Sequence, residues 1–176
     1  MNCKPLYIFV EGDDDERFFQ EIVIPILKRK YAHVKIIKYA QKPKKFEYIT
    51  KFIKSIQSMG GDYIYVTDIN TSPCITAKKE NIRHNVPNIS NDKIIVVVKE
   101  IESWYLAGLN KSFTKNLGIK IPSTTNTVTK EQFYRLILQK FNSHIDFMRE
   151  ILKNFSIEDA KEKNKSFKYL MEKYDC

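Results

Sequence analysis

Cysteine is scarce. Cys3, Cys74 and Cys176 stand far apart, odd in number and without paired spacing, a pattern that supports neither a disulfide framework nor a zinc site. A reducing, cytoplasmic setting is the expectation. Only five glycines occur in 176 residues, and none belongs to a phosphate-binding loop of the Walker or dinucleotide type, so ATP binding by this chain alone is not expected. His33, His84 and His144 are isolated and have no partner spacing. No apolar run approaches the roughly 20 residues of a membrane span. The amino terminus offers a single Lys4 and Pro5 before an apolar strand, not a signal-peptide pattern. No membrane partner is expected.

What is present fits a folded domain. The chain is 43% hydrophobic and 12% aromatic, which argues against disorder and supplies enough material for one core. Net charge is +9, from 30 basic and 21 acidic residues. The excess is concentrated. Lys28, Arg29, Lys30, Lys35, Lys38, Lys42, Lys44, Lys45, Lys51 and Lys54 are opposed in their stretch only by Glu47. Such a stripe suits a polyanion, with Lys38, Lys42, Lys44 and Lys45 as candidate nucleic-acid contacts. Lysine excess alone is weak support.

The organising stretch is Tyr7-Ile8-Phe9-Val10-Glu11-Gly12-Asp13-Asp14-Asp15-Glu16. An apolar strand ends at a carboxylate, glycine permits a turn, and acids open a helix, where they suit its dipole. That helix is expected to run to about Lys30 with a break near Ile24, because Pro25 interrupts it. A second strand is expected over 33–39, and a helix over 44–59 that Gly60-Gly61 ends. The third strand, 62–67, leads into Asp68-Ile69-Asn70, and residues 71–85 read as loop and then polar helix. The run Ile94-Ile95-Val96-Val97-Val98 implies a strand buried on both faces, followed by a short helix over 101–109.

Strand and helix thus alternate four times. The pattern predicts an α/β fold with a four-stranded, mainly parallel sheet and helices on both faces over residues 1–109. Residues 110–176 read as an irregular loop, 110–128, and a helical extension packed on the same domain. Thr129 to Gln132 matches a capping box that starts a helix through Phe141. Ser143 and Ser156 cap two more helices, and 166–174 is the last. Trp104 reads as packing rather than as a base-stacking platform.

In a parallel sheet of this kind Glu11, Asp68 and Glu100 or Glu102 meet at the carboxyl edge, where open α/β sheets bind ligands. Like charges about 4 Å apart repel by ~4 kcal/mol at an effective dielectric of 20. An oxygen-only cluster favours Mg²⁺ or Mn²⁺, which retains waters and takes phosphate oxygens. Lys99, next in sequence to Glu100, suits charge developing on phosphate.

Val10-Glu11-Gly12 with Asp13 to Asp15, and Val66-Thr67-Asp68-Ile69-Asn70 after a later strand, resemble the motifs of the TOPRIM domain. That domain occurs in topoisomerases, bacterial primases, small RNA-maturing nucleases and OLD-family nucleases. Glu102-Ser103-Trp104 and Ser166-Phe167 look similar to an uncharacterised prokaryotic TOPRIM-like group related to RloB and considered with phage-defence proteins. The resemblance covers residues 6–106 and, loosely, the tail. It implies a magnesium-dependent fold that cuts or rejoins DNA or RNA, with Glu11 as metal ligand or general acid/base and Asp68 as metal ligand; hydrolysis of phosphodiesters is the activity expected of a small stand-alone member. One departure stands out. Asn70 occupies the position of the second acid of an Asp-x-Asp motif and supplies only a carbonyl oxygen. Glu100 and Glu102 are candidates to make up the deficit. An ATPase, which OLD-type enzymes carry in the same chain, would here be a separate partner, and a homo-oligomer is the other arrangement left open.

Two rival readings come from other classes. In a receiver-like signalling domain Asp13 and Asp14 hold magnesium, Asp68 accepts a phosphoryl group and Lys99 reads it. In a catalytically inactive binding module the fold persists without chemistry, as Asn70 would favour.

Overall fold

The computed structural model describes residues 2–137 and 140–174. It divides into two compact units at Val96/Val97. This division falls earlier than the change of pattern at residue 110.

The first unit carries a four-stranded parallel sheet in the order β2-β1-β3-β4. Its strands are β1 (Asn2–Val10), β2 (Tyr31–Lys38), β3 (Asp62–Asp68) and β4 (Ile94–Val97), whose last residue opens the second unit. Side chains alternate between faces with a two-residue period. Phe9, Tyr63, Tyr65, Ile94 and Val96 form one buried set with Ile49, Ile53 and Ile56 of α3 (Lys45–Ser58) and Ile82 of α4 (Ile75–Asn85). The alternate set, Ile8, Val10, Ile64, Val66 and Ile95, is fully buried as well. Burial on both faces is why these strands read as continuous apolar runs.

The first helix breaks where proline requires it. α1 (Asp13–Phe18) passes into a π-helical turn, Phe19–Val23, and then into α2 (Ile24–Leu27). Pro25 lacks the N–H that would close the ladder to residue 21, and the widened turn absorbs the defect.

The second unit is helical: α5 (Glu102–Ala107), α6 (Lys111–Leu117), α7 (Lys130–Tyr134), α8 (His144–Lys153), α9 (Ile157–Lys163) and α10 (Lys165–Lys173). The expected caps are in place. Thr129 accepts from the Gln132 amide, Ser143 from Asp146 at 3.1 Å and Ser156 from Asp159 at 3.2 Å. Two expectations are corrected. The stretch 110–128 holds α6, capped by the Asn110 side chain, which accepts from Phe113 N at 2.7 Å, and closed by left-handed Gly118 at φ 67°. The helix opening at Thr129 stops at Tyr134 rather than reaching Phe141; the expected continuation includes residues 138 and 139, outside the described residues.

Gly108 follows α5 because nothing larger fits. A Cβ there would lie 2.1 Å from the Phe155 ring. Phe155 in turn packs edge-on against Phe167, with ring centroids 5.8 Å apart.

Candidate functional site

The site in the first unit follows from strand register. β1 and β3 run in step, Phe9 opposite Tyr65, so two further residues on each strand bring Glu11 up to Thr67 and its neighbour Asp68. With β2 on one side of β1 and β3 on the other, successive crossovers leave β1 in opposite directions. The crevice between the ends of β1 and β3 is therefore the topological switch point, the usual ligand position in open α/β sheets.

Glu11 is held there by one oxygen. Its Oε1 accepts from the Thr67 hydroxyl at 2.8 Å and from the Asp68 amide at 3.0 Å. The buried Tyr39 hydroxyl lies 3.5 Å from the same oxygen, but its single proton is better directed to Val66 O at 2.9 Å. Burial first, then the neighbouring Tyr65 and Glu11, push the Tyr39 phenol well above its ordinary pKa, so it stays neutral. Among the described residues no hydrogen bond reaches Glu11 Oε2. Asn70 follows in the left-handed region, φ 50°, a conformation Asn tolerates better than most residues. Its Nδ2 donates to Asp68 O at 3.3 Å.

Lys78, on the first turns of α4, was not singled out by the sequence. Burial lowers its pKa from the usual lysine value, Glu11 and Asp68 work in the opposite direction, and Lys45 adds to the lowering. A half-buried ammonium thus sits within electrostatic reach of both acids and of the basic stripe. The signal available was the placement of α4, the first helix to leave the Asp68 edge. Lys78 also weakens the argument that these acids need a divalent ion to coexist, since some compensating charge is built in.

The acids that follow Glu11 serve the helix and its neighbours. Asp15 is buried and accepts from Gly12 N at 3.2 Å. Asp14 pairs with Arg17 at 2.6 Å, while Asp13 and Glu16 both pair with Lys38, at 2.7 and 2.8 Å. The Asp13 hydrogen bond and then that of Glu16 raise the Lys38 pKa. Of the four lysines expected to contact nucleic acid, Lys38 is therefore committed to ion pairs within the first unit. Lys42, Lys44 and Lys45 are exposed. Lys42 lies 5.8 Å over the Tyr48 ring, Lys45 lies 5.2 Å over Phe46, and Lys44 is 3.8 Å from Glu47.

Lys99, Glu100 and Glu102 belong to the second unit. Lys99 is exposed and left-handed, φ 67°. Both glutamates turn to Lys130, at the start of α7. Glu100 Oε2 accepts its backbone N–H at 2.5 Å, and Glu102 Oε1 lies 3.1 Å from its Nζ. Glu100 was expected, as an alternative to Glu102, at the carboxyl edge. Its carboxylate caps the start of α7, thirty residues along the chain, where an anion suits the helix dipole. Among the described residues no group of three or more His, Cys, Asp or Glu side chains is arranged to hold a metal ion.

The Glu102–Lys130 pair is unequal. The Glu102 side chain is 2% exposed and that of Lys130 is 41% exposed. Burial raises the Glu102 pKa above its ordinary value, only partly offset by Lys130. Burial works against the Lys130 ammonium, yet Glu102 outweighs it and raises that pKa too. The glutamate's shift dominates, because Lys130 can return to water and Glu102 cannot. A carboxyl with a raised folded pKa binds more protons folded than unfolded. Its contribution to stability is fully present below the ordinary value of 4.5 and is lost as pH rises through the folded value. Glu102→Gln should therefore hold or raise the melting temperature at pH 7 and flatten its fall between pH 4.5 and neutrality, read by thermal denaturation against pH.

Compared with family models, curated proteins and solved structures, the chain matches none.

Proposed function

We propose that the switch-point edge of the first unit hydrolyses phosphodiester bonds of nucleic acid with a magnesium or manganese ion held by Glu11 and Asp68. The observation that carries this reading is the meeting of Glu11 with Asp68 at the ends of adjacent parallel strands, with Oε1 immobilised and Oε2 left over. Two carboxylates and the Asn70 carbonyl are too few for a protein-only cage. They suit a hard cation that keeps waters and completes its shell with phosphate oxygens. Such an ion lowers the pKa of bound water and polarises the phosphoryl group.

The chain's own contributions are positional and electrostatic. Thr67 and the Asp68 amide fix the Glu11 carboxylate. Lys78 and Lys45 provide positive charge for a non-bridging phosphate oxygen. Lys42 and Lys44 extend that charge along the strand's backbone. Water adds to phosphorus as a bridging P–O bond breaks, and the departing oxygen takes up a proton.

An inactive nucleic-acid-binding module is the second reading, favoured by Asn70 and by the charge compensation from Lys78. A receiver-like site is less well supported, because Asp13 and Asp14 are both ion-paired. The test is incubation of the protein with end-labelled DNA and RNA in Mn²⁺ and in EDTA. Metal-dependent cleavage that Asp68→Asn removes supports hydrolysis. Salt-sensitive binding without cleavage supports the module, and labelling of Asp68 by acetyl phosphate would support the receiver.

A further inference from the structure

The stretch that sequence leaves irregular borders a cavity of about 420 Å³ within the second unit, inside the range typical of small-molecule sites. Its apolar wall comes from Leu109, Ile119, Ile121 and Pro122. Leu109 and Ile119 are buried, at 0% and 7% exposure. Three lysines, Lys111, Lys120 and Lys163, and the hydroxyl residues Thr114 and Ser123 complete the lining, and among the described residues no carboxylate joins them. Lys111 and Lys120 are exposed at the mouth, whereas the Lys163 side chain is only 15% exposed.

Lys163 carries three N–H donors. One serves Leu109 O at 2.6 Å, and the nearest carboxylate oxygen, on Asp159, is 4.0 Å away. Burial lowers its pKa, Asp159 and Glu162 oppose that, and Lys111 adds to the lowering. Positive charge is therefore concentrated beside an apolar wall and is incompletely balanced.

We propose that this cavity binds a small amphipathic anion, an apolar chain or ring bearing a carboxylate or phosphate that Lys163 receives. Beyond the lysines the lining offers only two polar side chains, the hydroxyls of Thr114 and Ser123. The Thr114 hydroxyl is spent on its own helix, on Asn110 O at 3.1 Å and Lys111 O at 3.0 Å. A sugar or nucleobase would leave its donors and acceptors unpaired against Leu109 and Ile119, whereas an aliphatic body would not. The site is independent of the edge formed by Glu11 and Asp68.

Calorimetric titration of the full chain with decanoate, decyl phosphate and decyltrimethylammonium tests the assignment. One or both anions should bind saturably at one site per chain, the stronger of them identifying the head group, and the ammonium should not bind. Lys163→Met should weaken the anion at least tenfold. Ile119→Trp, which fills the cavity, should abolish binding with the circular dichroism spectrum unchanged. Should Lys163→Met fail to fold, Lys111→Gln with Lys120→Gln, both at exposed positions, should still weaken the anion severalfold. The proposal is overturned if neither anion saturates, if the ammonium binds as well, or if folded Ile119→Trp binds like the parent.

Discussion

Asn164→Ala is expected to destabilise the second unit by ~3–5 kcal/mol, because one fully buried amide closes a whole polar cluster. Its Oδ1 accepts from Ser166 N and Phe167 N, both at 3.1 Å, which caps α10, and from the Ser166 hydroxyl at 2.8 Å. Its Nδ2 donates to Thr125 Oγ1 at 3.0 Å and to Ser103 Oγ at 3.3 Å. Loss of the cap alone costs about 1 kcal/mol. The remainder comes from buried donors and hydroxyls left without partners, each worth ~1–3 kcal/mol when water cannot replace the amide. Ser166 would be loosened as well, and with it the Trp104 indole, which donates to Ser166 Oγ at 2.8 Å. Thermal unfolding followed by tryptophan fluorescence should show a midpoint lower by roughly 10 °C or more. Thr125→Val strands a single amide proton and should lower stability by ~1–2 kcal/mol. A folded Asn164→Ala protein that melts within 2 °C of the parent (about 1 kcal/mol or less) would show that the cluster carries no such energy.

This cluster explains part of what sequence could and could not reveal. Glu102-Ser103-Trp104 and Ser166-Phe167 stand out as motif pieces some sixty residues apart, yet nothing in either says that they touch. In the fold, Trp104 packs against Phe167 with ring centroids 5.4 Å apart, and its indole meets Ser166. The pieces are halves of one packed, hydrogen-bonded core, in keeping with the packing role expected of Trp104. Strand-helix alternation was legible because burial on both faces writes itself as unbroken Val and Ile, and caps were legible because a hydroxyl three residues before an acid or amide has a local geometric purpose. Asn110, which caps α6, has a capping side chain but Phe113 rather than an acid or amide three residues on, and the polar, Gly- and Pro-punctuated chain after it outweighed that weaker signal. The site was half legible. Glu11 and Asp68 interrupt apolar runs, so each is conspicuous in its own segment. Lys78 is one of many lysines, and only the return of α4 toward the strand ends distinguishes it. Glu100 and Glu102 carry the same sequence signal as Glu11, but the helix start at Lys130 lies too far along the chain for a local pattern to expose.

Substitution at Glu11 should separate structure from chemistry. In Glu11→Gln the amide carbonyl can still accept from Thr67 Oγ1 and Asp68 N, so the turn keeps its hydrogen bonds and stability should stay within ~1 kcal/mol of the parent. Glu11→Ala removes the acceptor, leaves the Thr67 hydroxyl and the Asp68 amide to find water at a half-buried edge, and should cost ~1–3 kcal/mol. For hydrolysis the two should converge. Both delete the negative charge on which cation binding would depend, and Mn²⁺-dependent cleavage should fall by ~10²–10³-fold in each. Lys78 provides a reading that needs no metal. The Glu11 charge raises its pKa, so either variant should move the Lys78 ammonium to a still lower value, measurable by NMR titration of its side chain. If Glu11→Gln cleaves like the parent while its Lys78 titration shifts, the carboxylate is an electrostatic partner of the lysine and hydrolysis at this edge is excluded. If cleavage is lost and the shift is present, both the pairing and the chemistry stand, and Asp68→Asn becomes the variant that distinguishes a cation ligand from a proton acceptor by its dependence on Mn²⁺ concentration.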